Sequence, residues 1–288
     1  MMRHTVRLSV LFLLLSVVVA ACSGKQKPEP AVATPSLTFS KDRMPIGSAV
    51  TLTYKFVVAA NASFDKDYWV FVHVLDPEGE QMWTDDHQPP TPTTRWKGGE
   101  TVEYTRTIFV PNYPYIGEAV VRLGLYDPPS GRRLVLGAPE ASRREYLVAK
   151  TQILASSETI FLMWKDGWHP AENDVTNPQN EWKWTKKTAT LAFKNPKKDA
   201  TLYIEYDARA DLFTPPQQVT LKLGDAVVGQ FTAEAKRGTI LTFPLTAAQL
   251  GPSDMVDLII DLDRTFQPGG TDPRELGIRV FHAYVEPK

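Results

Sequence analysis

The chain has 288 residues, a formal net charge of −1, 43% hydrophobic and 10% aromatic residues, 23 prolines and a single cysteine. A near-neutral balance argues against nucleic-acid binding, which needs a basic face, and one cysteine excludes an intrachain disulfide framework. Many prolines among Val, Thr, Tyr and Phe favour short strands and turns over long helices, in a length that suits two modules.

The chain opens with a short basic stretch, Met1 to Arg7, followed by an apolar run from Leu8 to Val19 and then Ala20-Ala21-Cys22. This is the pattern of a secretory signal with small residues at the cleavage point. Leu8 to Ala21 is shorter than the about 20 apolar residues that a spanning helix needs. The small residues before Cys22 resemble the lipobox of bacterial lipoproteins. The resemblance implies that residues 1–21 are a signal peptide, that Cys22 carries the lipid, and that the mature protein is anchored on a membrane of the bacterial cell envelope rather than spanning it or remaining in the cytoplasm. Ser23, where Asp would favour inner-membrane retention, points to the outer membrane. Residues 22–36 comprise the lipidated Cys22 and a polar, Pro-rich stretch that cannot bury a core, and this segment is expected to be a disordered tether.

Residues 37–154 are expected to form the first module. Val50, Leu52, Tyr54, Phe56 and Val58 alternate with mostly polar residues, as in a strand with one buried face. Tyr68 to Leu75 is apolar on both faces and predicts a central strand. Asp76 to Glu80 (DPEGE) is a turn. Strands follow over Thr101–Val110 and Gly117–Tyr126. Asp127 to Gly131 (DPPSG) turns the chain, Arg132–Leu136 returns as a strand, and Tyr146–Leu154 closes the module. Residues 155–288 are expected to form the second. Strands are predicted over Thr159–Trp164, Ala189–Lys194, Ala200–Asp207, Gln218–Leu223, Val227–Phe231, Gly238–Leu245, Met255–Leu262 and Leu276–Val285. Leu223–Asp225 is a hairpin turn, and Thr246–Leu250 is one helical turn stopped by Gly251 and Pro252. The two halves show no internal repeat. The fold predicted is all-β: two tandem antiparallel β-sandwiches of Ig-like or jelly-roll-like type.

Two groups of motifs carry a further resemblance. FVHVLDPEGEQ, PPTPTTRW and GEAVVRLGLYDPPSGRRL resemble a sandwich module found in bacterial envelope proteins and beside membrane glycosyltransferases. GWHPAE, EWKWTKKTATLAFKNP and DPRELGIRVFHAYVEP resemble sandwich domains appended to polysaccharide-handling proteins. The combination resembles envelope lipoproteins of Gram-negative bacteria. The resemblance implies the sandwich fold and an association with polysaccharide, but no particular activity.

Trp164, Trp168, Trp182 and Trp184 fall within one short stretch, with Asp166, His169, Glu172 and Glu181 between them. Exposed indoles can stack on the apolar face of a sugar ring, while carboxylates and arginines bind its hydroxyls. The loop Asp263–Glu275 adds Asp272, Arg274 and Glu275 and can fold over the same edge. The candidate ligand-binding residues are therefore Trp164, Trp168, Trp182, Trp184, Glu172, Asp272 and Arg274. The alternative is that the indoles fill the core, as aromatics commonly do. Trp182 and Trp184 share a strand face, which suits either arrangement.

His73, with Asp85, Asp86 and His87, offers ligand types suited to zinc or calcium, but no spacing fixes a geometry. A hydrogen-bonded histidine and a solvated acidic loop account for the same residues. Asp261 and Asp263 suit solvent or salt bridges to Arg264 or Arg279. The HPAE motif is not HExxH, and there is no G-x-S-x-G, phosphate-binding glycine loop or catalytic cysteine. No catalytic residue, metal or cofactor is expected. The preferred reading is non-catalytic binding of a glycan or exopolysaccharide through the second module. The competing reading is an interaction or assembly lipoprotein that binds an envelope protein partner. A polysaccharide hydrolase is the third.

Overall fold

The computed structural model describes residues 29–177, 180–236 and 238–288. The expected signal peptide, Cys22 and the first part of the tether lie outside them. The first strands are β1 (Ala33–Phe39), β2 (Arg43–Pro45), β3 (Ala49–Val58), β4 (Trp69–Leu75), β5 (Gln81–Thr84), β6 (Thr101–Phe109), β7 (Gly117–Tyr126), β8 (Glu140–Ser142) and β9 (Glu145–Leu154). They form a three-stranded sheet in the order β1-β3-β6, facing a second sheet in the order β2-β9-β7-β4-β5 with β8 paired to β9. All pairings are antiparallel except β2 with β9.

Period-two alternation builds this core. Val50, Leu52, Tyr54, Phe56 and Val58 from one sheet meet Ala119, Val121, Leu123 and Leu125 from the other, all buried. Each fully buried large side chain of this kind contributes roughly 1.5–3 kcal/mol before entropy is counted. Strand β4 lies between β7 and β5 and is buried on both faces, as its sequence predicts. On its outer face Phe71 lies flat over Gly124, where a Cβ would stand 2.2 Å from the ring. The opposed glycine is what lets the ring fold down.

Two expectations are corrected here. Residues 33–36 are not tether but the start of β1, with Ala33 buried. Ala33, Leu37 and Phe39 face inward by period two. Pro35 is tolerated because β1 is an edge strand. Arg132–Leu136 is not a continuous strand. It makes only isolated bridges, Arg133 to Tyr126 and Leu136 to Ala33.

After Leu154 the chain enters the second sandwich: β10 (Leu162–Trp164), β11 (Glu172–Asn173), β12 (Glu181–Trp184), β13 (Thr188–Lys194), β14 (Ala200–Asp207), β15 (Gln218–Leu223), β16 (Ala226–Thr232), β17 (Thr239–Leu245), α1 (Ala247–Leu250), β18 (Met255–Leu262) and β19 (Arg279–Pro287). Two five-stranded antiparallel sheets, β10-β13-β18-β15-β16 and β11-β12-β19-β14-β17, enclose a core of Leu202, Ile204, Tyr206, Leu221, Leu258, Ile260 and their neighbours. The expected helical turn is α1, closed by a capping box in which Thr246 and Gln249 satisfy each other's backbone amides.

Residues 31–288 form one compact unit. Between the two sandwiches, Lys41 Nζ pairs with Glu286 at 2.6 Å and Phe109 stacks on His282 at 4.9 Å. Ala49, Phe109 and Tyr284 form a small third core there. No helix among the described residues is long and apolar enough to cross a membrane.

Candidate functional site

The four tryptophans do not make one row. Trp164 stands on β10 in one sheet, while Trp182 and Trp184 stand on β12 in the other. Trp164 and Trp168 meet edge to face at 4.4 Å, and both pack against the second core. Trp168 Nε1 donates to the Thr190 carbonyl at 2.8 Å. Gly167, at φ +84°, brings this loop onto β13 so closely that a Cβ would sit 2.0 Å from the Thr188 oxygen. This pair is therefore held as structure. The single exposed platform of four indoles is not formed: Trp184 is 8% exposed and the other three are half-buried.

The second pair has a different setting. Trp182 and Trp184 sit on the face of β12 away from the core, beside Arg279 and Phe281 of β19. Pairing of Trp184 with Arg279 fixes this register. The Arg279 guanidinium lies 5.1 Å from the Trp182 ring centre, 5.5 Å from Trp184 and 5.7 Å from Phe281. Such contacts are cation–π interactions. Asp207 of β14, directly across from Arg279, accepts from Nε and Nη2, each at 2.6 Å. The Asp207 side chain is only 3% exposed, while that of Arg279 is 29% exposed. A buried carboxylate thus aims a half-exposed guanidinium across two indoles. Phe266 meets the Trp184 ring edge-on at 5.7 Å, leaving Trp182 as the more open ring.

The remaining candidates gather beside Trp182. Glu172 is its register partner across β11 and β12. Arg274 Nη1 donates to Glu172 Oε1, and Arg274 Nε and Nη2 donate to Asp272 at 2.9 and 2.8 Å. Its hydrogen bonds with Arg274 hold the Asp272 carboxyl down to about 2. The same bonds raise Arg274 further above its ordinary value. His169 Nε2 donates to the Glu275 carbonyl at 2.7 Å. The loop from 263 to 275 is thereby latched to the segment from 169 to 172, so the expected folding of the two onto one edge does occur. The three polar candidates are spent largely on one another, and their half-exposed atoms form a rim.

Phe281 was legible only as a member of a strand, Asp207 only as the end of another, and Arg279 as a partner for Asp261 or Asp263. Asp261 and Asp263 do not use Arg279. Asp261 pairs with Lys222 at 2.6 Å and Asp263 with Arg264 at 2.9 Å.

In the acidic loop of the first module Asp86 is exposed, but Asp85 is not solvated. Asp85 is 10% exposed and accepts from Arg106 Nε and Nη2 at 2.9 and 2.7 Å and from the Tyr54 hydroxyl at 2.8 Å. Burial first, and Asp85 second, push the Tyr54 hydroxyl far above the usual tyrosine range. His87 Nδ1 lies 2.7 Å from the Asp85 carbonyl, which can only accept, so Nδ1 carries the proton and Nε2 accepts from Tyr104 at 2.8 Å. Burial lowers the His87 pKa and keeps the ring neutral. His73 faces Glu145 at 3.8 Å instead of joining this group. Among the described residues, no three His, Cys, Asp or Glu side chains gather in a way that would hold a metal ion.

No protein-family model matches the chain, and a search of curated proteins finds no relative. Among solved structures, 44% of the chain is similar to 31% of the alkylpurine DNA glycosylase AlkC from Pseudomonas fluorescens bound to DNA containing an abasic-site analogue, at 14% identity and a TM-score of 0.30. The same share is similar to 75% of the C-terminal domain of wzt, at 6% identity and a TM-score of 0.28. Across 84% of its length the chain is similar to 34% of ZmpB from Clostridium perfringens, solved as the M60 catalytic domain with its CBM51-1 and CBM51-2 domains, at 9% identity and a TM-score of 0.25. Overlaps this loose carry no functional argument. The chain's own coordinates define its class: an all-β protein of sandwiched antiparallel sheets.

Proposed function

We propose that this is a lipid-anchored protein of the bacterial envelope that binds glycan without catalysis, using the outer face of β12 and β19. Trp182 is the stacking ring. Arg279, aimed by Asp207, and the rim of Glu172, Asp272 and Arg274 supply hydrogen bonds to hydroxyls. The observation that carries this reading is the buried Asp207 holding Arg279 against Trp182, Trp184 and Phe281. A carboxylate buried to fix a half-exposed guanidinium over aromatic rings preorganises a surface for a planar, hydroxyl-rich ligand.

Cys22 is the anchor and the proposed membrane is the outer one. In a Gram-negative host fed an alkyne-tagged palmitate, the protein is expected to take up label and fractionate with outer membranes. Cys22→Ser is expected to lose both properties. A glycan array probed with protein extracted from those membranes tests the binding itself. Saturable hits that weaken at least tenfold in a folded Trp182→Ala variant support the reading, and an array without hits counts against it.

A protein-interaction role is the second reading, and one feature favours it. Phe161 just before edge strand β10 and Met163 on it are 60% and 42% exposed, and Met255 at the start of β18, further in beyond β13, is 39% exposed. Large apolar side chains on an unpaired strand edge suit a partner chain. Replacing Phe161 and Met163 by Ser is expected to abolish co-purification of an envelope partner under this reading and to leave glycan hits intact under the first.

A further inference from the structure

The first sandwich carries a cleft remote in sequence from the Trp182 face. Gly131, Arg132, Arg133, Arg143, Arg144 and Glu145 line about 580 Å³ of it. One wall is the end of the DPPSG turn. The other is the two-residue loop Arg143-Arg144, which joins β8 to β9 between the paired Ser142 and Glu145. We propose that this cleft is an anion site, taking an oxyanion carried on a ring-sized acidic ligand.

Three observations support it. The first is charge. Four arginines and one glutamate line the cleft, and the Glu145 carboxylate is shared among Arg133 at 2.9 Å, Arg122 at 3.4 Å and His73 at 3.8 Å. Of the acids around it, Glu140 accepts from the Arg144 backbone amide at 2.7 Å, Asp127 from Lys66 at 3.0 Å and Asp65 from the Tyr68 hydroxyl at 2.7 Å.

The second is preorganisation. Arg133 stacks on Phe71, its guanidinium carbon 4.5 Å from the ring centre, and donates to the Arg143 carbonyl at 3.0 Å. Arg144 Nη1 donates in return to the Arg133 carbonyl. The two walls are tied to each other, so the cleft does not rely on a ligand to form.

The third is backbone strain. Arg143 and Arg144 stand at φ +46° and +62°. A two-residue hairpin loop of this kind is normally Asn-Gly or Asp-Gly, because branched or long side chains disfavour the left-handed region. Two consecutive arginines at a strained loop tip are a choice against stability, and such choices concentrate where a ligand is bound. Guanidinium forks match carboxylate, phosphate and sulfate oxygens, and a cleft of this volume admits a sugar-sized ring.

Full-length protein extracted in detergent is titrated calorimetrically with trigalacturonate, glucose 6-phosphate and, as the neutral control, maltotriose. At least one anionic probe is expected to bind saturably and to weaken as salt is raised, and the two anions separate a carboxylate preference from a phosphate preference. Arg143→Gly is the diagnostic variant. Glycine relieves the left-handed backbone, so the melting temperature is expected to hold or rise while affinity for the anion falls about tenfold, as loss of one charge-assisted contact implies. Trp182→Ala is expected to leave this binding unchanged, which separates this site from the glycan face. Absence of binding by both anions overturns the proposal. So does full affinity in a folded Arg143→Gly, or loss of anion binding in Trp182→Ala.

Discussion

The two sandwiches each bury a carboxylate against an arginine, and the two pairs do different work. In the first sandwich Asp85 follows β5 in one sheet, while Arg106 and Tyr54 come from β6 and β3 in the other. The ion pair crosses the core and ties two layers together. In the second, Asp207 and Arg279 are opposed neighbours on β14 and β19 of one sheet. Backbone hydrogen bonds already join those strands, so the side-chain pair adds little cohesion. What it adds is direction: the guanidinium lies over Trp182, Trp184 and Phe281. A similar ion pair therefore serves as a cross-layer clamp in one place and as an aiming device in the other.

The largest effect separating the two is expected from Asp85→Ala. Removing this acceptor strands the fully buried Tyr54 hydroxyl and breaks the tie between the sheets, at about 3 kcal/mol of unfolding free energy, measured by urea denaturation. Asp207→Ala is expected to cost about 1 kcal/mol, since it strands no buried hydroxyl and Arg279, like Arg106, reaches water. It should instead reduce glycan affinity by loosening Arg279. Equal stability losses in the two variants would mean that both pairs are clamps.

The smallest effect is expected at Asp272, which holds Arg274 in place for the latch to Glu172. A carboxylate whose folded pKa lies below its ordinary value stabilises the fold above the ordinary value and loses that contribution as pH falls through the folded one. With Asp272 moving from 3.8 to about 2, the latch should hold at pH 5 and release between about pH 4 and pH 2. Acid-stable protease cleavage within residues 263–275 should rise across that window, and in Asp272→Asn it should already be high at pH 5. A cleavage rate indifferent to this substitution would remove the latch from the account.

How far the sequence foretold this depends on what kind of contact was at stake. Strands with one buried face were legible because burial imposes a period of two: Ala200–Asp207, Gln218–Leu223 and Met255–Leu262 run where the alternation places them. Strand β1 was hidden because Ala33, Pro35 and polar neighbours compose like a linker, and only pairing with β3 makes them a strand. Strand β12 was legible only as the shared face of Trp182 and Trp184, because its four residues are too few to show a longer period. That the loop of Asp272 and Arg274 can fold beside Glu172 followed from the sequence as one open arrangement. The partition of the tryptophans did not, because it depends on which sheet each short strand joins. Arg279 and Asp207 lie 72 positions apart, a pairing set by sheet register that no local pattern contains.

The most direct test of the central claim compares two indoles that the sequence cannot tell apart. Affinity for a glycan identified on the array is measured for Trp182→Ala and Trp164→Ala, each confirmed as folded. The account predicts at least a tenfold loss for Trp182→Ala, through loss of a stacking contact, and little change for Trp164→Ala, whose ring packs on Trp168 and the core. Full affinity in Trp182→Ala, or a loss confined to Trp164→Ala, would contradict it.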